Sequence, residues 1–187
     1  MTSTHTSRLV DFPAAVGTLG ALGFTAVGLL QAVDPTFPGE VAFAGRNVPS
    51  AIAALLMIGS VVALHRSGAA GTRRFVRIGL AAAALGWVVD AAAQLISQSM
   101  GVDYPPPYIL ATALLLFGML PPAVAVLRVG AWSGWRRWTP LVTVIYLAAA
   151  SPLFATPGAL ANLAGAFWGA CWIALGAALL RGRAQRS

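Results

Sequence analysis

A chain of 187 residues in which 58% are hydrophobic and 9% charged, with a mean hydropathy of +0.79, is not an ordinary soluble domain, where about a quarter of residues carry charge. Its net charge of +7 comes from twelve arginines, no lysine and five acids. The missing lysine excludes a retinal Schiff base, a lysine nucleophile and a phosphate loop of the G-x-x-x-x-G-K form. His5 near the N-terminus and His65 at a helix end cannot make a bis-histidine haem site or a three-histidine metal site, and the single Cys171 allows neither an intrachain disulfide nor a C-x-x-C pair. No metal and no cofactor is expected.

A hydrocarbon core of about 30 Å takes roughly 20 apolar residues per helix, and the sequence offers six such stretches. The first, 12–33, is uncharged and too long for the core of a signal peptide, so it reads as a retained anchor behind an N-terminal tail of residues 1–11. The second, 48–64, stops at His65 and Arg66; the third, 75–98, carries one carboxylate, Asp90; the fourth is 108–127. From Trp138 to Leu180 there is no charge, too long a run for one crossing. Ser151-Pro152 and Thr156-Pro157-Gly158 divide it, giving helices at 138–153 and 159–180 before a short tail, 181–187. The expected fold is therefore all-α, a single six-helix transmembrane bundle over 12–180.

Cytoplasmic loops hold the excess of arginine. Arg8, the group Arg66, Arg73, Arg74 and Arg77, the group Arg128, Arg136 and Arg137, and the tail arginines Arg181, Arg183 and Arg186 fall on one side; only Arg46 falls on the other, with Asp34, Glu40 and Asp103. Both termini are then cytoplasmic, and the net charge encodes topology. Because the arginines are divided among four short segments, nucleic acid is not an expected partner. Membrane lipid is, and Trp132, Trp135 and Trp138 among the arginines of 128–138 suit the headgroup boundary. Arginine used to the exclusion of lysine is a habit of GC-rich bacterial genomes, which places the expected bundle in a bacterial plasma membrane.

Phe12, Phe75 and Trp138 open the odd-numbered helices 63 residues apart, and A-L-H-R-S-G-A-A-G-T-R-R from Ala63 compares with V-L-R-V-G-A-W-S-G-W-R-R from Val126. Three parallel helical hairpins are the simplest description, unlike the inverted repeats of many transporters.

Asp90 is the one ionisable side chain within the predicted hydrocarbon region, slightly to the external side of its helix midpoint. A lone carboxylate there costs at least about 2.5 kcal/mol on insertion scales, so function is its default reading. Trp87, Gln94 and Ser97 share its helical face, and Ala83 and Gly86 leave room beside it. Gln31, Asn162, Tyr104 and Tyr108 fall at similar depths, which makes an outward-opening polar cavity a geometric expectation. The alternative is an Asp90 that only joins helices by hydrogen bonds.

Gly17, Gly20, Gly23 and Gly28 in the first helix, and Gly165, Gly169 and Gly176 in the sixth, mark faces where helices approach closely. Packing inside one bundle is the preferred reading, with a homo-oligomer or membrane-protein partner through Gly165 and Gly169 as the alternative. Pro121-Pro122 should bend the fourth helix. No G-x-S-x-G motif is present, neither histidine reaches an intramembrane serine, and only Asp11 among the acids lies on the arginine side. Three functional classes follow. The first is a small-molecule or ion binding or transport protein with an outward cavity around Asp90; the second is an accessory subunit of a larger membrane complex. The third is an intramembrane acid-base enzyme that pairs Asp90 with Glu40 or Asp34 on a lipidic or isoprenoid substrate, although the chain leans away from an enzyme.

Overall fold

The computed structural model describes residues 3–33, 39–101, 104–154 and 158–181. They form an all-α bundle of six helices, α1 Ser3–Val33, α2 Gly39–Ser67, α3 Arg74–Met100, α4 Pro105–Val129, α5 Thr139–Phe154 and α6 Ala159–Arg181, with a short 3-10 turn at Gly134–Trp138. Five of them, all but α5, are long and apolar enough to cross a membrane, which makes this a multi-pass membrane protein. At 16 residues α5 is about 24 Å long, the shortest of the six.

Each helix packs on its neighbours in the chain, α1 closes the ring against α6, and α2 also touches α6 across the interior. The three hairpins expected from the sequence are thus α1–α2, α3–α4 and α5–α6. The first two are close in packing register without matching it. Gly20 lies against Ala53 and Met57, while Ala83, 63 positions later, meets Gly118, two short of the 63-residue equivalent of Met57.

Two helix starts differ from the expected ones. α1 begins at Ser3 instead of 12 and α2 at Gly39 instead of 48, so Glu40, Arg46 and Asn47, read from sequence as loop, belong to α2. A helix satisfies its own backbone hydrogen bonds in lipid or in water, so charged residues mark the edge of the bilayer and not the end of the helix. Pro13 and Pro49 both lie inside their helices. The other ends agree closely with expectation because they carry real stop signals. Gly101 and Gly130 adopt φ +67° and their amides return to the carbonyls of Gln98 and Val126, closing α3 and α4. Pro105 in the first turn opens α4, where no amide donor is needed.

Small residues let the helices approach. A Cβ on Gly17 would collide with Ser60, one on Gly118 with the backbone of Ala83, and one on Gly169 with Thr25 of α1. Gly165 and Gly169, whose alternative reading was contact with another chain, both turn toward α1, Gly165 with Phe24 3.9 Å from where its Cβ would be. Thr18 and Thr25 return their hydroxyls to the carbonyls of Ala14 and Ala21, so their polar atoms are satisfied within α1 at this apolar seam. In α4, Pro121 and Pro122 are accommodated within a continuous helix. The Gly118 carbonyl, which loses its amide partner to Pro122, lies 2.6 Å from the position a Cβ on Gly79 would take. Only glycine at 79 lets α3 lie over it.

At the arginine end, Trp135 and Trp138 are exposed, with Arg181 and Arg137 over their rings, whereas Trp132 is buried under Arg136. Arg136 is itself buried, and its Nε donates to the Ala178 carbonyl at 3.0 Å. That carbonyl lies in the last turn of α6, which ends at Arg181 among the described residues. A guanidinium there also complements the negative end of the helix dipole. Replacing it (Arg136→Gln) is expected to destabilise the bundle by about 1.5–3 kcal/mol, the range for a hydrogen bond to a charged group. Thermal unfolding in detergent would show it, and an unchanged midpoint would mean the contact carries no weight.

Candidate functional site

Four polar side chains in the second half of α3 lie in one row. Asp90, Gln94, Ser97 and Gln98 follow at intervals of four, three and one, which on a 3.6-residue helix is a single stripe leading from mid-helix to the end at Met100. Asp90 lies ten residues from that end, about 15 Å below it. The carboxylate is buried, with 8% of the residue exposed.

The stripe is hydrogen-bonded outward. Tyr108, one turn into α4, donates its hydroxyl to Gln94 Oε1 at 3.1 Å, and Gln94 in turn bonds the Asp90 side chain. Since the Gln94 oxygen accepts from Tyr108, its amide nitrogen is the donor to Asp90. One turn farther out, Ser97 Oγ accepts from the Tyr104 amide at 3.1 Å, fixing the α3–α4 connection. These bonds leave Asp90 Oδ2 and Gln98 Oε1 buried and without a hydrogen-bond partner among the described residues.

Inward of Asp90 the centre of the bundle is aromatic. Trp87 stacks on Trp168 with centroids 5.0 Å apart and planes at 22°, and Trp172 meets Trp87 edge-on at 5.2 Å. Phe24 of α1 closes edge-to-face on Trp87 and Trp168 at 6.2 and 5.8 Å, and Phe154 of α5 lies 6.4 Å from Trp168. Four helices therefore meet through one ring cluster, in arrangements that stabilise by about 0.5–1.5 kcal/mol per pair. The indole nitrogens of Trp87, Trp168 and Trp172 are all buried with no acceptor among the described residues. Buried donors and acceptors are ordinarily paired, with water if not with protein, so three N–H groups and a carboxylate oxygen mark a centre with polar chemistry left over.

Of the seven residues expected to line a cavity, Asp90, Gln94 and Tyr108 form the connected chain, and Trp87 joins the aromatic cluster one turn below. The Asn162 side-chain amide donates to the backbone carbonyl of Gln31 at 3.1 Å, which ties α1 to α6 near the same end of the bundle. Tyr104 contributes its backbone, and its residue is 42% exposed. Asp34 and Asp103 lie outside the described residues, and Glu40 stands in the first turn of α2.

Several central residues were not singled out from sequence. Trp168 and Trp172 are four apart on α6, a spacing that puts both rings on one face, but the stretch G-A-F-W-G-A-C-W drew attention for its glycines. Asn47 is fully buried with both side-chain polar atoms unpartnered among the described residues. Beside Arg46 and just before the apolar run that starts at 48, it read as loop. No group of three or more His, Cys, Asp or Glu side chains that could hold a metal occurs among the described residues.

No protein-family model matches this chain, and neither the curated proteins nor the solved structures contain a significant match. The functional reading rests on the residues themselves.

Proposed function

We propose that this is a membrane protein that binds and passes a small cation, the proton included, with Asp90 as the ion site and the Gln94–Tyr108 end as its entrance. The observation that carries the reading is the buried Asp90 carboxylate, one oxygen of which is held by Gln94 while Oδ2 has no hydrogen-bond partner among the described residues. An intramembrane carboxylate that serves only to join helices is expected to use both oxygens. Gln94, Ser97 and Gln98 supply hydrogen-bonding groups from Asp90 to the end of α3, a footing for water or a partly hydrated ion. The packed rings of Trp87, Trp168 and Trp172 bound the site on its inner side, so the ion reaches Asp90 from one end and passage inward requires the cluster to shift.

In this reading the arginine-rich end faces the cytoplasm of a bacterial plasma membrane, and the entrance opens outward. Flux in reconstituted vesicles tests it. With a pH indicator or a cation indicator inside, an imposed gradient should collapse faster with wild-type protein than with empty vesicles, and Asp90→Asn should return the rate to the empty-vesicle baseline. Equal rates for wild type and Asp90→Asn would remove Asp90 from the pathway.

A further inference from the structure

Asn47 is the one side chain among the described residues that is fully buried with both its oxygen and its nitrogen lacking a hydrogen-bond partner. A buried amide left so carries a desolvation penalty that no hydrogen bond among the described residues offsets. On α2 it shares a stripe with Ala51, Ala54 and Val61, all buried, about a third of a turn round from Ala53 and Ser60, which meet α1. Val48, Ile52 and Leu55 on the other flank are exposed. The stripe therefore faces the interior, where α2 packs on α3 and touches α6.

Its depth places it beside the Asp90 row. α2 ends at Ser67 and α3 starts at Arg74, and Asn47 and Gln94 each stand twenty residues from those ends, about 30 Å along two antiparallel neighbours. Asp90 lies about 6 Å inward of this level and Gln98 about 6 Å outward. Asp90 Oδ2, Asn47 Oδ1 and Gln98 Oε1 are thus three buried oxygens, stepped in depth on two helices, that accept no hydrogen bond among the described residues.

We infer that the ion taken at Asp90 is an alkali metal cation, sodium or potassium, with Asn47 Oδ1 as its second protein oxygen and Gln98 Oε1 as the oxygen it meets on entry. The inference rests on the reading of Asp90 as the ion site and names the ion. Carboxylate and amide oxygens are the donors that hard cations take. One carboxylate with two neutral amides carries a single negative charge, which matches a monovalent ion, whereas divalent sites are tightened by adding carboxylates. A proton needs Asp90 alone, because an amide has no group that titrates, and would leave both amide oxygens unused. The Asn47 nitrogen is then the donor to a water that the ion keeps.

The test is the thermal unfolding midpoint of the full chain in detergent, compared in choline chloride, sodium chloride and potassium chloride at one ionic strength and one pH. A ligand that binds only the folded state raises the midpoint, so wild type should unfold later in sodium or potassium than in choline, and Asp90→Asn should lose that rise. Asn47→Leu removes an unpaired amide for an apolar side chain of similar size, so its midpoint in choline should not fall. The metal concentration that gives half the rise should nevertheless increase at least about tenfold, the cost of losing a group that holds a metal. Gln98→Leu should weaken the rise in the same direction and keeps the test independent of folding at position 47. A full metal response in both leucine variants would overturn the role of the two amides. Equal wild-type midpoints in all three salts, with vesicle proton flux still lost in Asp90→Asn, would make the ion a proton and overturn the inference while sparing the Asp90 reading. Flux unaffected by Asp90→Asn would overturn that reading and the inference with it.

Discussion

Asp90→Asn is expected to abolish the pH response of the tryptophan fluorescence and leave the bundle folded. Trp87 sits three residues before Asp90 on the same face of α3 and stacks on Trp168 at 5.0 Å. A charge that appears or disappears at Asp90 therefore changes the field on the central indole pair. Asparagine keeps the shape of the side chain and an oxygen for the Gln94 amide but has no proton to exchange. Its cost to stability should stay within about 1 kcal/mol, since no packing volume is lost. Emission intensity and lifetime, followed from acid to alkaline pH in lipid nanodiscs, should give a single transition for wild type and a flat trace for the variant. A transition of equal amplitude in Asp90→Asn would assign the response to another group. Trp135 and Trp138 are exposed at the arginine end and report on that surface in both proteins alike.

The second large effect separates two glycines four residues apart. Gly169→Leu should prevent α6 from docking on α1, because even a Cβ at 169 collides with the Thr25 hydroxyl and lies 3.1 Å from the Thr25 amide nitrogen and 3.2 Å from the Ala21 carbonyl. Backbone atoms cannot rotate away, so the cost should reach or exceed the top of the roughly 1–3 kcal/mol range for overpacking. Gly165→Ala meets only the Phe24 ring, at 3.9 Å, and should change stability by no more than about 0.5 kcal/mol. Unfolding in mixed micelles, followed by loss of the near-ultraviolet signal of the tryptophan cluster, should show the folded fraction collapse for Gly169→Leu and persist for Gly165→Ala. Similar midpoints for the two would mean that α1 and α6 are not held by close backbone contact.

The helix count was legible in the sequence because hydropathy and bilayer thickness act on every residue of a span at once. The starts of α1 and α2 were not, since Arg8 and Asp11 in one case and Arg46 and Asn47 in the other mark the polar edge of the span although the backbone passes through them in helical form. Within the site, the link from Asp90 to Gln94 follows from i, i+4 spacing on one helix and was readable. That Tyr108 would reach Gln94 depended only on depth and on α3 and α4 being antiparallel neighbours. The convergence of Phe24, Phe154, Trp168 and Trp172 on Trp87 depends on how four helices are rotated about their axes. Alanine-rich helices hide that rotation, because small apolar residues occur on every face and periodicity gives almost no direction. Arg136 illustrates the converse: the charge pattern placed it at the boundary, but its burial against the end of α6 needs the tertiary structure.

The assignment of Asp90 as an exchanging ion site is tested most directly by pH-difference infrared spectroscopy of wild type against Asp90→Asn in native-like lipid. Asp11, Asp34, Glu40 and Asp103 are common to both proteins, so the double difference isolates one carboxyl group. A carboxylic C=O band that appears and vanishes with pH in wild type and is missing from the variant is the predicted result. A double difference that is flat across the whole pH range would contradict it and make Asp90 a fixed link between helices.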